Sequence, residues 1–550
     1  MRWRALDRIV RSGAECTSEV SGERRHRLAR DFAREEGGAV AVIFAIVFAA
    51  VLMTTAITIE FALGTSEQTR EQQALDAATL AASDFLGLPT QDTEGPVIAE
   101  AYFKENIGSR SNAVMEKAKL DAAAGTVSAK STGTVVSGLM KVFGADNLRI
   151  GAASTVGKGD ERLEIALVLD NSGSMAGTYI TDLKTAAKNL ASILYAGASG
   201  TDKVKIGVVP FAASVNVGSG YRSASWMDGG ISPLEYQNVS ESRTRFQLFD
   251  DMGVNWGGCL EVRSGAYASN AEPPTAENPD SLFVPMLAPD EPDSENDGGD
   301  SYTNSYLVDD GGSCTPQPTV CTKTSKSGRC TRWEKVALSS SVAQTRTCKY
   351  KNQAPSGGTG PNTGCTTKPL LRLTTSLSDV NSTVESLIAS GNTNIGEGLT
   401  WGWRMLSPAV PFADGRPFNT EHNKKIIILM TDGENTYTAK GNQNHSTYSA
   451  YGYAHPILHP ADGRLGETHT ASGFRSVMDA NLLAACANAK AAGVVIYTIG
   501  FRLENDPASQ GNLQACATAP DKYFLASNGA VLITTFQQIA RQLNKLRVTG

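Results

Sequence analysis

The oxygen-bearing residues of three separate stretches could hold chemistry here. The first is Asp170-Asn171-Ser172-Gly173-Ser174-Met175, directly after the apolar run LEIALVLD. An aspartate followed by two serines at alternate positions can turn one carboxylate and two hydroxyls toward one point, and Gly173 permits the tight turn this needs. The second, Ser390-Gly391-Asn392-Thr393-Asn394-Ile395, offers the Thr393 hydroxyl just before a helical pattern. The third, Leu429-Met430-Thr431-Asp432-Gly433-Glu434, closes another apolar run with Asp432. Hard, all-oxygen donors of this kind suit Mg²⁺, or Mn²⁺ or Ca²⁺. Taken alone, Asp170 reads equally as a helix N-cap at a strand–helix junction. Together the three stretches offer Asp170, Ser172, Ser174, Thr393 and Asp432 as candidate donors to one such ion.

Other reactive residues make a weaker pattern. There is no G-x-S-x-G elbow and no phosphate-binding loop, so an enzyme is not expected. His445, His455, His459 and His469 share the stretch after Asp432. Zinc is one reading, but His455 and His459 are each followed by proline, which argues against a ligating helix. An aromatic, glycine-rich loop that contacts a partner is preferred. The acidic stretch Asp290 to Gly298 lacks the terminal glutamate of a calcium loop and reads as solvated.

Positioning those oxygens takes strands and helices in alternation. The predicted strands are 163–170, 204–212, 424–433, 494–501 and 522–527; the predicted helices are 181–196, 395–406, 474–493 and 530–546. Near-continuous apolar strands alternating with amphipathic helices predict an α/β fold with a doubly wound, mostly parallel sheet. The ends of such strands are where these sheets bind ligands. A stretch at about 213–385, rich in Gly, Ser, Thr, Pro and Asn, interrupts the pattern and is too long for a bare loop. It carries six cysteines, which allow 15 pairings. Its segment from Glu272 to Gly312 is acidic and turn-rich, and is expected to be largely mobile.

The chain before this domain reads differently. Residues 37–59 carry no charge, and as a helix they reach about 34 Å, enough to cross a hydrocarbon core of about 30 Å. A cleaved signal is disfavoured by the length of the run. Nine arginines stand among residues 1–36, against one arginine between Glu60 and Asp84. That bias places residues 1–36 in the cytoplasm and everything after the span outside it. The helical pattern then continues through SEQTREQQALDAATLAASDF without Pro or Gly, as one long helix leaving the membrane. A small α+β unit completes residues 60–160, with strand-like stretches around a turn at Gly125, a short helix in VVSGLMKVFG and a strand in LRIGAASTVG. Eight of the nine cysteines follow the span, an even number that reads as disulfides in an oxidising compartment. The net charge of −6 leaves no basic footprint for nucleic acid.

Two resemblances follow from these motifs. Over residues 161–546, the insertion excepted, D-x-S-x-S, G-x-T-N-I and the apolar run ending T-D-G resemble the von Willebrand factor A domain with its metal-ion-dependent adhesion site. The resemblance implies direct binding of the metal by Ser172, Ser174 and Thr393, with Asp170 and Asp432 acting partly through water. It also implies an open position for a carboxylate from a protein partner. The span beginning GAVAVIFA, the acidic Glu60 near its outer end and the LDAATLAA run are similar to TadG-like proteins of Flp (tight adherence) pilus assembly. So are ACANAKAAGVVIYTIGF and QIARQLNKLRVTG. This implies a bacterial inner-membrane anchor, a periplasmic domain, a pilus or envelope partner and a Cys486–Cys516 pair. Five residues after Gly38 stands Ile43 rather than the glutamate of processed pilins, so the anchor is expected to be retained. The competing reading is a structural envelope element whose metal only stabilises the fold.

Overall fold

A computed structural model describes residues 38–549, except 110, 123, 137–140, 142–146, 159–160, 199–201, 241, 294–299, 357–359, 459–462 and 546–547. The expected cytoplasmic segment 1–36 and the first residue of the span lie outside the described residues. The chain divides into two compact units.

The first unit comprises the chain up to Ala78 with Glu100–Lys117 and Ala129–Ser154. It begins in helix α1 (Gly38–Ser83), 46 residues without a break. At 1.5 Å per residue this is about 69 Å, longer than a bilayer core needs. From Val40 to Leu63 its large apolar side chains are exposed, as a lipid-facing surface would be. Further along, Ala74, Leu75 and Ala78 are buried at helical spacing. Helix α2 (Glu94–Ile107), which the sequence reading did not separate out, comes next, followed by strands β1 (Val114–Met115), β2 (Lys119–Asp121), β3 (Thr126–Val136) and β4 (Asn147–Lys158). In this unit β1 pairs antiparallel with β3, Val114 opposite Thr132. Of VVSGLMKVFG, where a short helix is expected, Val135 and Val136 close β3. Residues 137–140 and 142–146 lie outside the described residues.

The second unit comprises Thr79–Ala99, Ala118–Ser128 and everything from Thr155. The β2–β3 turn passes through Gly125, whose φ of +67° is the left-handed region glycine accepts without strain. The unit is mixed α/β. Strand β5 (Arg162–Asp170) leads to α3 (Thr178–Ala196) and β6 (Val204–Phe211). A long excursion then holds α4 (Arg245–Met252), the ribbon β7 (Thr319–Thr324) and β8 (Cys330–Lys335), and α5 (Ser340–Thr345). The chain returns through β9 (Leu371–Thr374), α6 (Leu377–Glu385), α7 (Ile395–Met405), β10 (Asn423–Thr431), α8 (Ala471–Ala491), β11 (Val495–Phe501), α9 (Pro507–Cys516), β12 (Tyr523–Ala526) and α10 (Gly529–Lys545). The strand order is β12-β11-β10-β5-β6-β9. Every pair is parallel except β6 with β9.

Why β5 takes the centre is plain from its side chains. From Leu163 to Asp170 every residue is buried, because alternate residues feed different cores. Ala166 and Val168 join a core with α7, α8 and α9. Leu163, Ile165, Leu167 and Leu169 join another with α3, α6 and α10. The same alternation runs through β10, with Ile427 and Leu429 in the first core and Ile426, Ile428 and Met430 in the second.

The excursion differs from its sequence reading at two points. It ends at Leu371 rather than near residue 385, since β9 re-enters the sheet and α6 packs on it. The stretch 272–312 is not a mobile segment where it is described. Leu282, Phe283, Val284, Met286, Leu287, Tyr306 and Leu307 are buried. The Asp290 carboxylate accepts hydrogen bonds from the Tyr306 and Leu307 amides at 2.6 and 2.8 Å and pairs with Lys349 at 2.6 Å. Residues 294–298 of the acidic stretch lie outside the described residues.

Four disulfides form among the described residues: Cys259–Cys365, Cys314–Cys348, Cys321–Cys330 and Cys486–Cys516. Cys259–Cys365 spans 106 residues and Cys321–Cys330 only 9. Loop-closure entropy then gives about 4.7 kcal/mol for the first and about 2.7 for the second. Replacing both cysteines of the first pair with serine is expected to lower the denaturation midpoint more than the same change in the second. Parallel urea titrations check the order.

Candidate metal centre

The carboxyl edge of the sheet is where three loops meet. Asp170 ends β5 and is fully buried; Ser172 and Thr393 are buried, Ser174 is exposed and Asp432 is half-buried. Four of the five expected residues are linked by hydrogen bonds. The Ser172 amide donates to Asp170 Oδ1 at 2.8 Å. The Ser172 and Ser174 hydroxyls share a hydrogen bond of 3.0 Å, and Ser174 Oγ donates to Asp432 Oδ1 at 2.7 Å. The hydrogen bonds of Thr393 run instead to Thr436: its amide donates to Thr436 Oγ1 at 2.8 Å, and the Thr436 amide donates back to the Thr393 carbonyl at 2.9 Å.

Local sequence explains why these loops hold their places. The Gly173 amide donates to the Gly391 carbonyl at 2.9 Å, and the Ser390 amide to the Asn171 carbonyl at 2.9 Å. Gly391 has φ +87°, and a Cβ there would meet Thr366 Oγ1 at 2.9 Å, so a larger residue is excluded twice over. Asn394 caps α7 by accepting the Glu397 amide at 3.3 Å. Asn435 Oδ1 accepts the Ile395 amide at 2.8 Å.

The sequence reading missed Thr431, Asn435 and Thr436 as supporting residues. The Thr431 hydroxyl donates to Asp170 Oδ2 at 2.6 Å, fixing the carboxylate from behind. The T-D-G motif contained this signal, since a hydroxyl one residue before Asp432 ends the neighbouring strand. Asn435 and Thr436 act across loops and leave no local signature.

The two carboxyls of the site are both shifted. Burial, and then the Asp432 carboxylate, push the Asp170 carboxyl above its ordinary range; Thr431 and Ser172 oppose this only in part. Burial also raises Asp432. No basic side chain stands among the leading influences on either group. Two neighbouring aspartates among hydroxyls match the needs of a hard divalent ion, which would hold both carboxyls in their charged form. The donor set therefore fits Mg²⁺ chemically.

No family profile matches the chain, and no curated protein matches it. Among solved structures it is similar to the pilus adhesin SpaC of Lactobacillus rhamnosus GG, at 14% identity and a TM-score of 0.33, over 80% of this chain and 35% of that one. The chain thus spans about a third of SpaC. It is also similar to the vWF domain of the type V pili tip protein Mfa5 from Porphyromonas gingivalis, at 12% identity and TM-score 0.32, over 71% of this chain and 98% of that one. The adhesive tip pilin GBS104 from Group B Streptococcus agalactiae gives 12% and 0.31, over 70% and 100%. These neighbours are pilus adhesins and tip pilins. TM-scores near 0.3 do not establish a shared fold, and nothing about the site rests on them.

Proposed function

We propose that this chain is a membrane-anchored component of a pilus system of the Flp (tight adherence) kind. Its large unit acts as a von Willebrand factor A-type domain that binds a protein partner through Mg²⁺. Asp170, Ser172, Ser174, Thr393 and Asp432 hold the ion, and a carboxylate of the partner completes its shell. The observation that carries this reading is the linked run Asp170–Ser172–Ser174–Asp432 at the sheet edge, buried at one end and open to solvent at Ser174. An ion there is fixed from inside and reachable from outside. The exposed apolar length of α1 suits a bilayer anchor, and four disulfides suit an oxidising compartment such as the periplasm. The TadG-like motifs supply the pathway.

One observation favours a second reading, in which the metal only braces the fold. The same side chains tie the Asp170–Ser174 loop to the end of β10, and Asp170 itself is shut away from solvent. Binding of purified pilus subunits by the detergent-solubilised full chain separates the two. In the adhesion reading, capture in Mg²⁺ falls at least about tenfold in EDTA and in Asp432→Asn, equivalent to about 1.4 kcal/mol. Capture that persists unchanged under both conditions rejects adhesion. If Mg²⁺ still raises the melting temperature in that case, the bracing role stands.

A further inference from the structure

We infer that His445, His455 and His469 form a second metal site, for a borderline transition ion of the Zn²⁺ class, independent of the aspartate–hydroxyl centre. The three come from separate points of the stretch between β10 and α8. Their ring centres lie 5.3 Å apart (His445–His455), 4.2 Å apart (His445–His469) and 5.8 Å apart (His455–His469). With Zn–N bonds of about 2.0–2.1 Å and a ring centre ~1.1 Å beyond each nitrogen, three imidazoles on one tetrahedral ion stand about 5 Å apart. The observed triangle brackets that separation.

The backbone fixes where each ring begins. His445 sits in the left-handed region at φ +54°, unusual for a residue with a side chain. Its amide donates to the Asn442 carbonyl at 3.0 Å, and its carbonyl accepts from the Lys440 amide at 3.0 Å. The His455 amide donates to the Asn444 carbonyl at 3.1 Å. His469 precedes Thr470, whose hydroxyl caps α8 by accepting the Gly473 amide at 3.1 Å.

Among the described residues, no three His, Cys, Asp or Glu side chains already converge on one point. The reason is visible in the rings: His445 and His469 are stacked, 19° from parallel, whereas the other two pairs meet edge to face at 83° and 66°. All three side chains are half-buried, and the site we infer requires their rings to turn between ordinary rotamers. Hydrogen bonds among the described residues use none of their ring nitrogens. Imidazole nitrogens suit Zn²⁺ and its neighbours, whereas Mg²⁺ prefers oxygen, so the two centres sort their ions by chemistry. His459 lies outside the described residues and is not assigned to the site.

Calorimetry on the detergent-solubilised full chain, stripped with EDTA and then saturated with Mg²⁺, tests the site with Zn²⁺ as titrant. Co²⁺ serves as the visible-absorbing probe. One Zn²⁺ per chain is expected, displacing a Co²⁺ spectrum with nitrogen ligation. His455→Ala and His469→Ala each lower Zn²⁺ affinity beyond the 10–100-fold typical of an outer-shell change. His445→Asn does the same while keeping a residue that tolerates the left-handed backbone. Melting temperatures without metal show that each variant folds. Asp170→Ala leaves the Co²⁺ spectrum intact. Zn²⁺ affinity unchanged in folded histidine variants, or lost only in Asp170→Ala, overturns the assignment.

Discussion

Asp170→Asn is expected to make the metal-free protein more stable and to abolish the stabilisation that Mg²⁺ gives the wild type. The two effects share a cause. In the absence of a cation, Asp170 is a fully buried carboxyl whose pKa is raised by burial and by Asp432. Below the ordinary aspartate value of about 4 it is neutral folded and unfolded, and costs nothing. As pH rises toward and through the raised folded value, the unfolded state ionises first and stability falls, by about 1.4 kcal/mol for each unit of the shift. The amide cannot ionise, so Asp170→Asn keeps its stability at neutral pH. In wild type, Mg²⁺ at 100 times its Kd contributes about 2.7 kcal/mol. Denaturation at pH 4, 6 and 8, with and without Mg²⁺, reads both effects. A variant that still gains from Mg²⁺ removes Asp170 from the site.

The other large effect is expected at Glu261, buried beneath the loop after β10. Its carboxylate pairs with Arg245 at 2.6 Å, contacts Arg464 and accepts the Tyr448 hydroxyl at 2.6 Å. Burial alone would raise its pKa, but the Arg245 and Arg464 guanidiniums outweigh burial and hold it below its ordinary value. Glu261→Gln takes from buried Arg245 its nearer carboxylate, leaving Glu235 at 4.0 Å, and removes the same partner from Arg464, a loss of about 3 kcal/mol. Because the folded pKa is lowered, the stabilisation is present above about pH 4.3 and disappears as pH falls through the depressed value. Urea denaturation of both proteins from pH 3 to 7 shows curves that differ at neutrality and converge in acid. A difference below about 1 kcal/mol at pH 7 would be that of a surface pair, and would remove Glu261 from the brace.

How much of this the sequence revealed depends on how local each cause is. Leu163–Asp170 and Lys424–Thr431 were legible as buried strands because burial on both faces leaves no polar alternation to obscure them. The helices at 181–196 and 530–546 showed because one apolar stripe recurs at helical spacing; the structure begins them slightly earlier, at Thr178 and Gly529. D-x-S-x-S was legible because its three donors are neighbours in the chain. Leu371–Thr374 was not, being four residues at a sheet edge with no pattern of its own. Asp290 read as a solvated acid because its partners, Tyr306, Leu307 and Lys349, are 16 to 59 residues away. His445, His455 and His469 share no helical or strand period; turns bring them together, and turn geometry was not in the residue spacing.

The long excursion has a consequence for how such a protein diversifies. It leaves the sheet after Phe211 and rejoins it at Leu371, beside Val208 on the same strand, so its two ends stand roughly 10 Å apart along β6. Thr366, near its far end, donates to the Ser390 carbonyl at 3.1 Å, touching the wall of the Thr393 loop. On the proposed function, lengthening, trimming or exchanging the chain between these ends would redraw the rim that a partner meets, while Asp170, Asp432 and the strands beneath them keep their register. In that reading, grip and target would be separately heritable.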